Sequence, residues 1–414
     1  MGISLSSLAL KLSRQGAAFY AYDSKGKVGS YRFLNLDNLA VLEIGQVMRK
    51  HQITDLVITP AVKLSDAIVK AAREVEVKLW NDLSLFLSIG QTKKYIGFTG
   101  TFGKSTAVDL FQYVYNILSP DRVQMGGNIG IPIFDCDPSS PIVIEFSAQQ
   151  LELIPDPGLK MAVFINFYRH HMDRYTTIDE YFNNKFNIMN NATIKIANYS
   201  IPGQHVTIST QSPEAEYYLD CSGRLYEKNA LVGILTSNRL APDSVIAAYA
   251  ALRCHDLPPE KILNLINIYP GLSHRCEIIK TNPLIVNDSK ATSLINSIHC
   301  IQKFHKVGSK LGWIGGGNNQ KQDLEVLEQV LDKISYVATI GSSRLELYSF
   351  LLSKRVEVKH YTSLKEAYLS CINQNCNIIL FSPGYASTEE FQSFAQRGDC
   401  FRSIVVNNNF PKNK

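Results

Sequence analysis

Residues 95–106 read Tyr-Ile-Gly-Phe-Thr-Gly-Thr-Phe-Gly-Lys-Ser-Thr. A short apolar run ends in a turn that holds Gly100, Gly103, Lys104 and Ser105. Beyond it, Ala107, Val108, Phe111, Val114, Tyr115 and Leu118 recur at the spacing of an amphipathic helix. A strand, a glycine-rich turn and a helix start in that order predict a cradle for phosphate. Glycines let backbone N–H groups face inward on an anion, and the helix start adds unpaired N–H groups and a positive dipole end. Lys104 is expected to reach outer phosphates, and the Ser105 hydroxyl to ligate Mg2+. The strict G-x-x-x-x-G-K-[ST] pattern fails at its first glycine, where Phe98 stands. What remains is T-G-T-x-G-K-S-T, with Thr99, Gly100, Thr101, Gly103, Lys104, Ser105 and Thr106 as candidate phosphate contacts. Five specified residues coincide by chance about once in 10^6 positions, so a plain strand–turn–helix connection is the lesser reading.

Outward from this loop the chain falls into three blocks. Residues 1–92 alternate helical and strand signals: Leu5–Gln15 reads as a helix, Ala18–Asp23 and Asp55–Thr59 as strands. The second block, 93–271, opens with the phosphate loop and closes at Pro270-Gly271, a turn signal. The third, 272–414, alternates strands (Leu284–Asn287, Lys310–Ile314, Val337–Ile340, Asn377–Phe381) with helical stretches. Repeated alternation of this kind predicts α/β domains with parallel sheets covered by helices.

The polar motifs share one placement. Glu145 ends the run Ile142-Val143-Ile144; His170 and His171 follow Ala162–Asn166; Asp288-Ser289-Lys290 follows Leu284–Asn287; Ser382-Pro383-Gly384 follows Ile378–Phe381. Ligands of open α/β sheets bind beyond the carboxyl ends of the strands. Glu145 stands where an NTPase keeps a carboxylate for Mg2+; a helix-capping glutamate is the lesser reading. In Arg169–Arg174 neighbouring side chains point apart, so only one of His170 and His171 can face an ion; a solvated loop is the other reading. Lys185 lies on a predicted helix, Asp179–Asn190, where a lone lysine is ordinarily solvated. Gly126–Gly130 turns the chain or contacts an anion.

Composition excludes several classes. The 414 residues carry a net charge of +5 without a long basic run, which argues against nucleic acid as the main partner. The eight cysteines form no C-x-x-C pair, so spacing suggests neither a zinc site nor a disulfide framework, and a reducing cytoplasm fits. Met1–Ser6 meets an N-myristoylation pattern at only two informative residues. Ile3–Leu12 lacks the basic start and cleavage site of a signal peptide, and no apolar run approaches a membrane span.

Seven segments together resemble the Mur ligase family over nearly the whole chain: Thr99–Thr106, Gly127–Pro132, Glu145–Glu152, His171–Tyr175, Gly271–Glu277 (G-L-S-H-R-C-E), Asn287–Thr292 (N-D-S-K-A-T) and Ser382–Phe401. The last two resemble most the member that joins D-glutamate to UDP-N-acetylmuramoyl-L-alanine. The resemblance implies three domains: a Rossmann-like substrate domain (1–92), a central P-loop ATPase-type domain (93–271) and a Rossmann-like amino-acid-binding domain (272–414). It implies ATP and two Mg2+ ions, a monomer, and domain closure that assembles the site. Thr99–Thr106 except Phe102, together with Arg275, Asp288 and Lys290, would bind ATP, with Asp288 at the ribose. Ser105 and Glu145 would hold one Mg2+. His171 would hold the second, with Lys185 once carbamylated. Lys104, Glu145, His171 and Lys185 would be catalytic. Ile3, Ser4, Asp23, Ser24, Lys25 and Asn128 would bind the sugar nucleotide, and Thr292, Ser387 and Phe394 the D-glutamate.

The chain also departs from the family pattern. Gly2 aligns inside the turn that follows the first strand of the first domain, so that strand is expected to be missing, and a start upstream of Met1 is the preferred explanation. The adenine segment is eroded: over Asn238–Ser244, Leu240, Ala241 and Ser244 stand at its polar positions. A third-domain lysine aligns with Gln320, beside Lys321. Ala61 replaces the glycine of a Ser-Pro-Gly turn, and Ala148-Gln149 a Ser-Phe pair. Against an active ligase stand a sister ligase with another amino acid or acceptor, and a non-catalytic nucleotide-binding homologue. Retention of Lys104, Ser105, Glu145, His171 and Lys185 argues against the latter.

Overall fold

The computed structural model describes residues 3–22, 36, 39–170, 172, 174–236, 240–318, 322–387, 390–391 and 393–408. The chain divides into two compact units, Met1–Tyr269 and Pro270–Lys414.

The first unit opens with the helix Ile3–Arg14, whose Leu8 joins the apolar core of the central sheet. Its Lys11 ammonium donates to Phe134 O at 3.3 Å. Two parallel strands, Asp55–Ile58 and Lys78–Asn81, flank the helix Ala67–Glu74. Val69 and Ala72 of that helix pack with Ile44, Met48 and Ile58 in a small core. Asp66 starts it by accepting from Ile68 N–H at 3.1 Å, the ordinary cap of an N-terminus. The strand predicted over Ala18–Asp23 reduces to a single bridge residue, Ala21, among the described positions. Ala18, the first residue of that stretch, is exposed.

The central sheet runs Ala230–Ile234, Arg224–Glu227, Tyr217–Leu219, Val206–Ser209, Ile194–Asn198, Met161–Phe164, Tyr95–Thr99, Ile142–Glu145, Gln124–Gly127 from edge to edge. All neighbours from Tyr217–Leu219 to Gln124–Gly127 are parallel. The two outermost pairs are antiparallel, which strand–helix alternation does not predict. Lys228 and Asn229 both take left-handed backbone, at φ 48° and 67°, the geometry that a two-residue hairpin loop requires. Strand Tyr95–Thr99 is buried at every residue. The chain leaves it toward one sheet edge, then returns to its other side at Met161–Phe164. This reversal is the switch point at which open sheets bind ligands.

The second unit holds six strands in the order Glu277–Thr281, Leu284–Asn287, Ile378–Phe381, Leu311–Gly317, Tyr336–Gly341, Val358–His360. All are parallel except the first. Apolar side chains fill both faces, with Trp313, Leu327 and Leu351 on one and Tyr336, Tyr368 and Phe401 on the other. Among the described residues no helix is long and apolar enough to cross a membrane.

Candidate functional site

The phosphate loop is fixed by its neighbours. Gly103 has φ 80°, and a Cβ there would collide with Ser244 Oγ. Glycine is therefore required on both counts. The Ser244 hydroxyl donates to Gly103 O at 3.0 Å. Asn166, just past the strand Met161–Phe164, accepts from Thr101 N–H and Phe102 N–H at 3.0 and 3.1 Å. Its amide donates to Asp243 Oδ2 at 2.8 Å, and Thr210 Oγ1 donates to Asp243 Oδ1 at 2.8 Å. The segment aligned with the adenine contact thus supports the loop through Asp243 and Ser244. Asn238 lies outside the described residues. The helix Lys104–Leu118 begins without a side-chain cap, so its first N–H groups remain available to an anion.

Lys104 and Lys185 converge on one carbonyl. Lys104 Nζ donates to Gly100 O at 2.9 Å and to Thr101 O at 3.0 Å, and Lys185 Nζ donates to Gly100 O at 2.6 Å. Lys185, on the helix Ile178–Phe186, is 2% exposed. Burial, then repulsion from Lys104, brings its amine down to about 6, against an opposing pull from Glu145. Its Nζ lies 5.0 Å from the centre of the Tyr181 ring. Glu145 is 5% exposed, and among the described residues its Oε2 has no hydrogen-bond partner. An acceptor-only atom buried beside a phosphate loop, with the buried Ser105 hydroxyl at the helix start, fits a hard divalent cation. The helix-cap reading of Glu145 fails, because Ser147 caps Ala148–Leu151 with Gln150. Thr99 and Thr101 are buried and Thr106 half-buried. His171 lies outside the described residues. His170 is exposed, and its ring lies 5.7 Å from that of Phe102.

Asn128 is exposed, and its N–H donates to Glu145 O at 3.4 Å. Asp23, Ser24 and Lys25, and the side chains of Ile3 and Ser4, lie outside the described residues. Arg174 grips Glu152 with Nε and Nη2 at 2.8 and 2.6 Å and donates to Pro60 O and Val62 O at 2.9 and 3.1 Å. It thereby ties the turn around Ala61 to Glu152, at the end of the helix Ala148–Leu151. Arg174, Asn166 and Asp243 lie within segments noted in the sequence, but none was assigned a role there.

In the second unit, Asp288 and Ser382 close two adjacent strand ends. Asp288 N–H donates to Phe381 O at 2.7 Å, and Ser382 Oγ donates to Asp288 Oδ2 at 2.7 Å. Burial pushes the Asp288 carboxyl up, against the hydrogen bond from Ser382. Arg275, Asp288 and Lys290 line one cavity of about 300 Å3. Lys290 Nζ lies 5.4 Å from the Phe394 ring. Ser387 is buried and Thr292 exposed. Arg397, missed in sequence, is 2% exposed and braces both loops: Nε donates to Ser289 Oγ, Nη2 to Ser289 O and Nη1 to Tyr385 O, at 3.0, 2.8 and 3.0 Å. Gln320 and Lys321 lie outside the described residues.

Residues 98–222 match the Mur ligase middle domain. The chain is 28% identical to the UDP-N-acetylmuramoylalanine–D-glutamate ligase of Idiomarina loihiensis, over 85% of this chain and 81% of that protein. It is 25% identical to the same ligase of Borreliella burgdorferi, over 98% and 97%. Its fold is that of UDP-N-acetylmuramate-alanine ligase from Thermotoga maritima, at a TM-score of 0.62, 16% identity and coverage of 99% and 98%. Folylpolyglutamate synthase from Thermotoga maritima shares it at a TM-score of 0.57 and 13% identity, over 78% of this chain and 93% of that one.

Proposed function

We propose that this chain, a Mur ligase by its middle domain and its relatives, forms the amide between D-glutamate and UDP-N-acetylmuramoyl-L-alanine in peptidoglycan precursor synthesis, with cleavage of ATP. The observation that carries the reading is the phosphate loop with Lys104, Lys185 and the unpaired Glu145 oxygen gathered around it. In the reaction, a carboxylate oxygen of the alanyl terminus attacks the γ-phosphorus, and ADP leaves. The amine of D-glutamate then attacks the acyl carbon of the acyl phosphate, loses a proton, and expels phosphate. Each step moves negative charge among phosphate oxygens, so positioning and cationic stabilisation supply the rate. The loop N–H groups and Lys104 bind the β- and γ-phosphates. Ser105 and Glu145 would hold one Mg2+, and His171 with carbamylated Lys185 a second; bound there, the ions neutralise phosphate charge.

Lys185 fits that role chemically. A buried amine at about 6 is neutral at physiological pH; its nitrogen adds to the carbon of CO2 and releases one proton to solvent, turning a neutral amine into a carbamate with anionic oxygen ligands. In the second unit, Asp288 would accept from the ribose, Arg275 and Lys290 would pair with phosphates, and Thr292, Ser387 and Phe394 would line the D-glutamate pocket. Ile3, Ser4, Asp23, Ser24, Lys25 and Asn128 would take the sugar nucleotide. We place the enzyme in the cytoplasm, as a monomer.

The test is phosphate release from ATP and Mg2+ with each acceptor present or withheld, Lys104→Ala serving as blank. Release that needs both UDP-N-acetylmuramoyl-L-alanine and D-glutamate, with the amide product identified by mass, supports the reading. Release driven by another amino acid or a folate acceptor, or none at all from folded protein, overturns it.

A further inference from the structure

The cysteines lack metal-ligand spacing in sequence, yet the fold brings two of them together with a carboxylate. Cys276 precedes the strand Glu277–Thr281, Asp288 follows Leu284–Asn287, and Cys300 lies on the helix Leu294–Phe304. Their ligand atoms all lie within 4.8 Å of one another, and Cys276 Sγ is 3.9 Å from Asp288 Oδ1. A tetrahedral zinc ion, with bonds of about 2.3 Å to sulfur and 2.0–2.2 Å to oxygen, spaces such ligands about 3.6–3.8 Å apart. The cluster needs only a contraction of order 1 Å.

The carboxylate is already oriented as a ligand. Cys276 N–H donates to Oδ1 at 3.1 Å and Ser382 Oγ to Oδ2 at 2.7 Å. Outer-shell bonds of this kind fix a metal-binding carboxylate. Asp288 and Cys300 are buried, and Cys276 is half-buried. All three line the cavity of about 300 Å3, whose wall also carries Arg275, Lys290 and Lys303. Two thiolates and a carboxylate on a divalent ion leave one net negative charge, which those cations offset. The cavity leaves a fourth coordination position for water or an anionic group. Soft thiolates select a thiophilic ion over Mg2+.

We infer that Cys276, Asp288 and Cys300 form a binding site for a thiophilic divalent cation of the Zn2+ class, open to the cavity at its fourth position. Binding forms two metal–sulfur bonds and one metal–oxygen bond, and the two thiol protons pass to the buffer. If Asp288 takes the ribose, which rests on the function proposed above, ion and ATP exclude one another, and the ion inhibits the enzyme.

The experiment titrates Co2+, as a spectroscopic stand-in for Zn2+, into the reduced full chain and follows sulfur-to-cobalt charge-transfer absorption. The expected result is one ion per chain in the wild type and in Cys371→Ser, which removes one thiol of a separate hydrogen-bonded pair. Cys276→Ser and Cys300→Ser should weaken binding by more than about 100-fold, beyond the loss typical of an outer-shell partner. Circular dichroism checks that each variant is folded, and the half-buried Cys276 keeps the test open should Cys300→Ser unfold. No charge-transfer band in the wild type, or a band that survives Cys276→Ser in folded protein, overturns the site. The last arm adds ATP without Mg2+ at a free Co2+ concentration held constant by a metal buffer, because ATP itself chelates Co2+. Co2+ binding that ATP does not weaken would sink the ribose assignment and the predicted inhibition, while leaving the metal site standing.

Discussion

Lys185 carries the sharpest prediction. Its amine is held at about 6 by burial and by Lys104. At pH 7.5 such an amine is neutral by about 30 to 1, whereas an ordinary lysine is protonated by about 1000 to 1. The fraction able to add CO2 is therefore about 1000-fold larger than for a surface lysine. With 13C-labelled bicarbonate at pH 7.5, wild-type protein should show a carbamate resonance that Lys185→Ala lacks. The subtraction matters, because the α-amino group also titrates near 8. The same shift fixes the sign of a stability effect. Between about pH 6 and 10.5 the unfolded lysine holds a proton that the folded one does not, so the folded state gains stability as pH rises through that window. Lys185→Met should flatten the slope. Identical carbamate spectra for wild type and Lys185→Ala, or identical pH slopes for wild type and Lys185→Met, would refute the reasoning.

Four further outcomes follow from the geometry. Lys104→Ala should lower ATP-dependent turnover by about 100-fold or more, with an unchanged far-UV circular dichroism spectrum, since the bonds of Lys104 to Gly100 O and Thr101 O lie within one loop. Asn166→Ala removes the acceptor of Thr101 and Phe102 N–H groups, and at about 1–3 kcal/mol should raise the ATP concentration for half-maximal rate by about 5- to 150-fold. Gly103→Ala combines a left-handed backbone with a collision at Ser244; thermal unfolding should show a loss of about 1–3 kcal/mol. Asp288→Asn should weaken ATP by about 10–100-fold while leaving D-glutamate saturation within a few-fold in steady-state kinetics.

The alternation of strands and helices was legible because buried parallel strands read as short apolar runs. Tyr95–Thr99, Ile142–Glu145 and Leu284–Asn287 all stand out that way. The phosphate loop was equally legible, since its glycines answer a backbone requirement visible at Gly103. The antiparallel end of the central sheet was not. Its hairpin turns on Lys228-Asn229, which takes left-handed backbone without the glycine that signals it. Supporting polar residues were hidden for another reason. Asn166, Asp243, Arg174 and Arg397 act through partners between 12 and 114 positions away, and no local pattern encodes such pairings. The depressed amine of Lys185 likewise depends on burial and on Lys104, which helical periodicity alone does not reveal. Cys276 and Cys300 meet only because a strand pair and a helix bring them to one cavity.

The most direct test of ATP-dependent ligation follows one oxygen atom. UDP-N-acetylmuramoyl-L-alanine labelled with 18O in both oxygens of its terminal carboxylate is incubated with enzyme, ATP, Mg2+ and D-glutamate, and the products are weighed. Attack by the carboxylate on the γ-phosphorus predicts that each phosphate released carries one 18O, and that the amide product retains the other. Unlabelled phosphate would mean that water, not the substrate, takes the phosphoryl group, and the chain would then not be the ligase described.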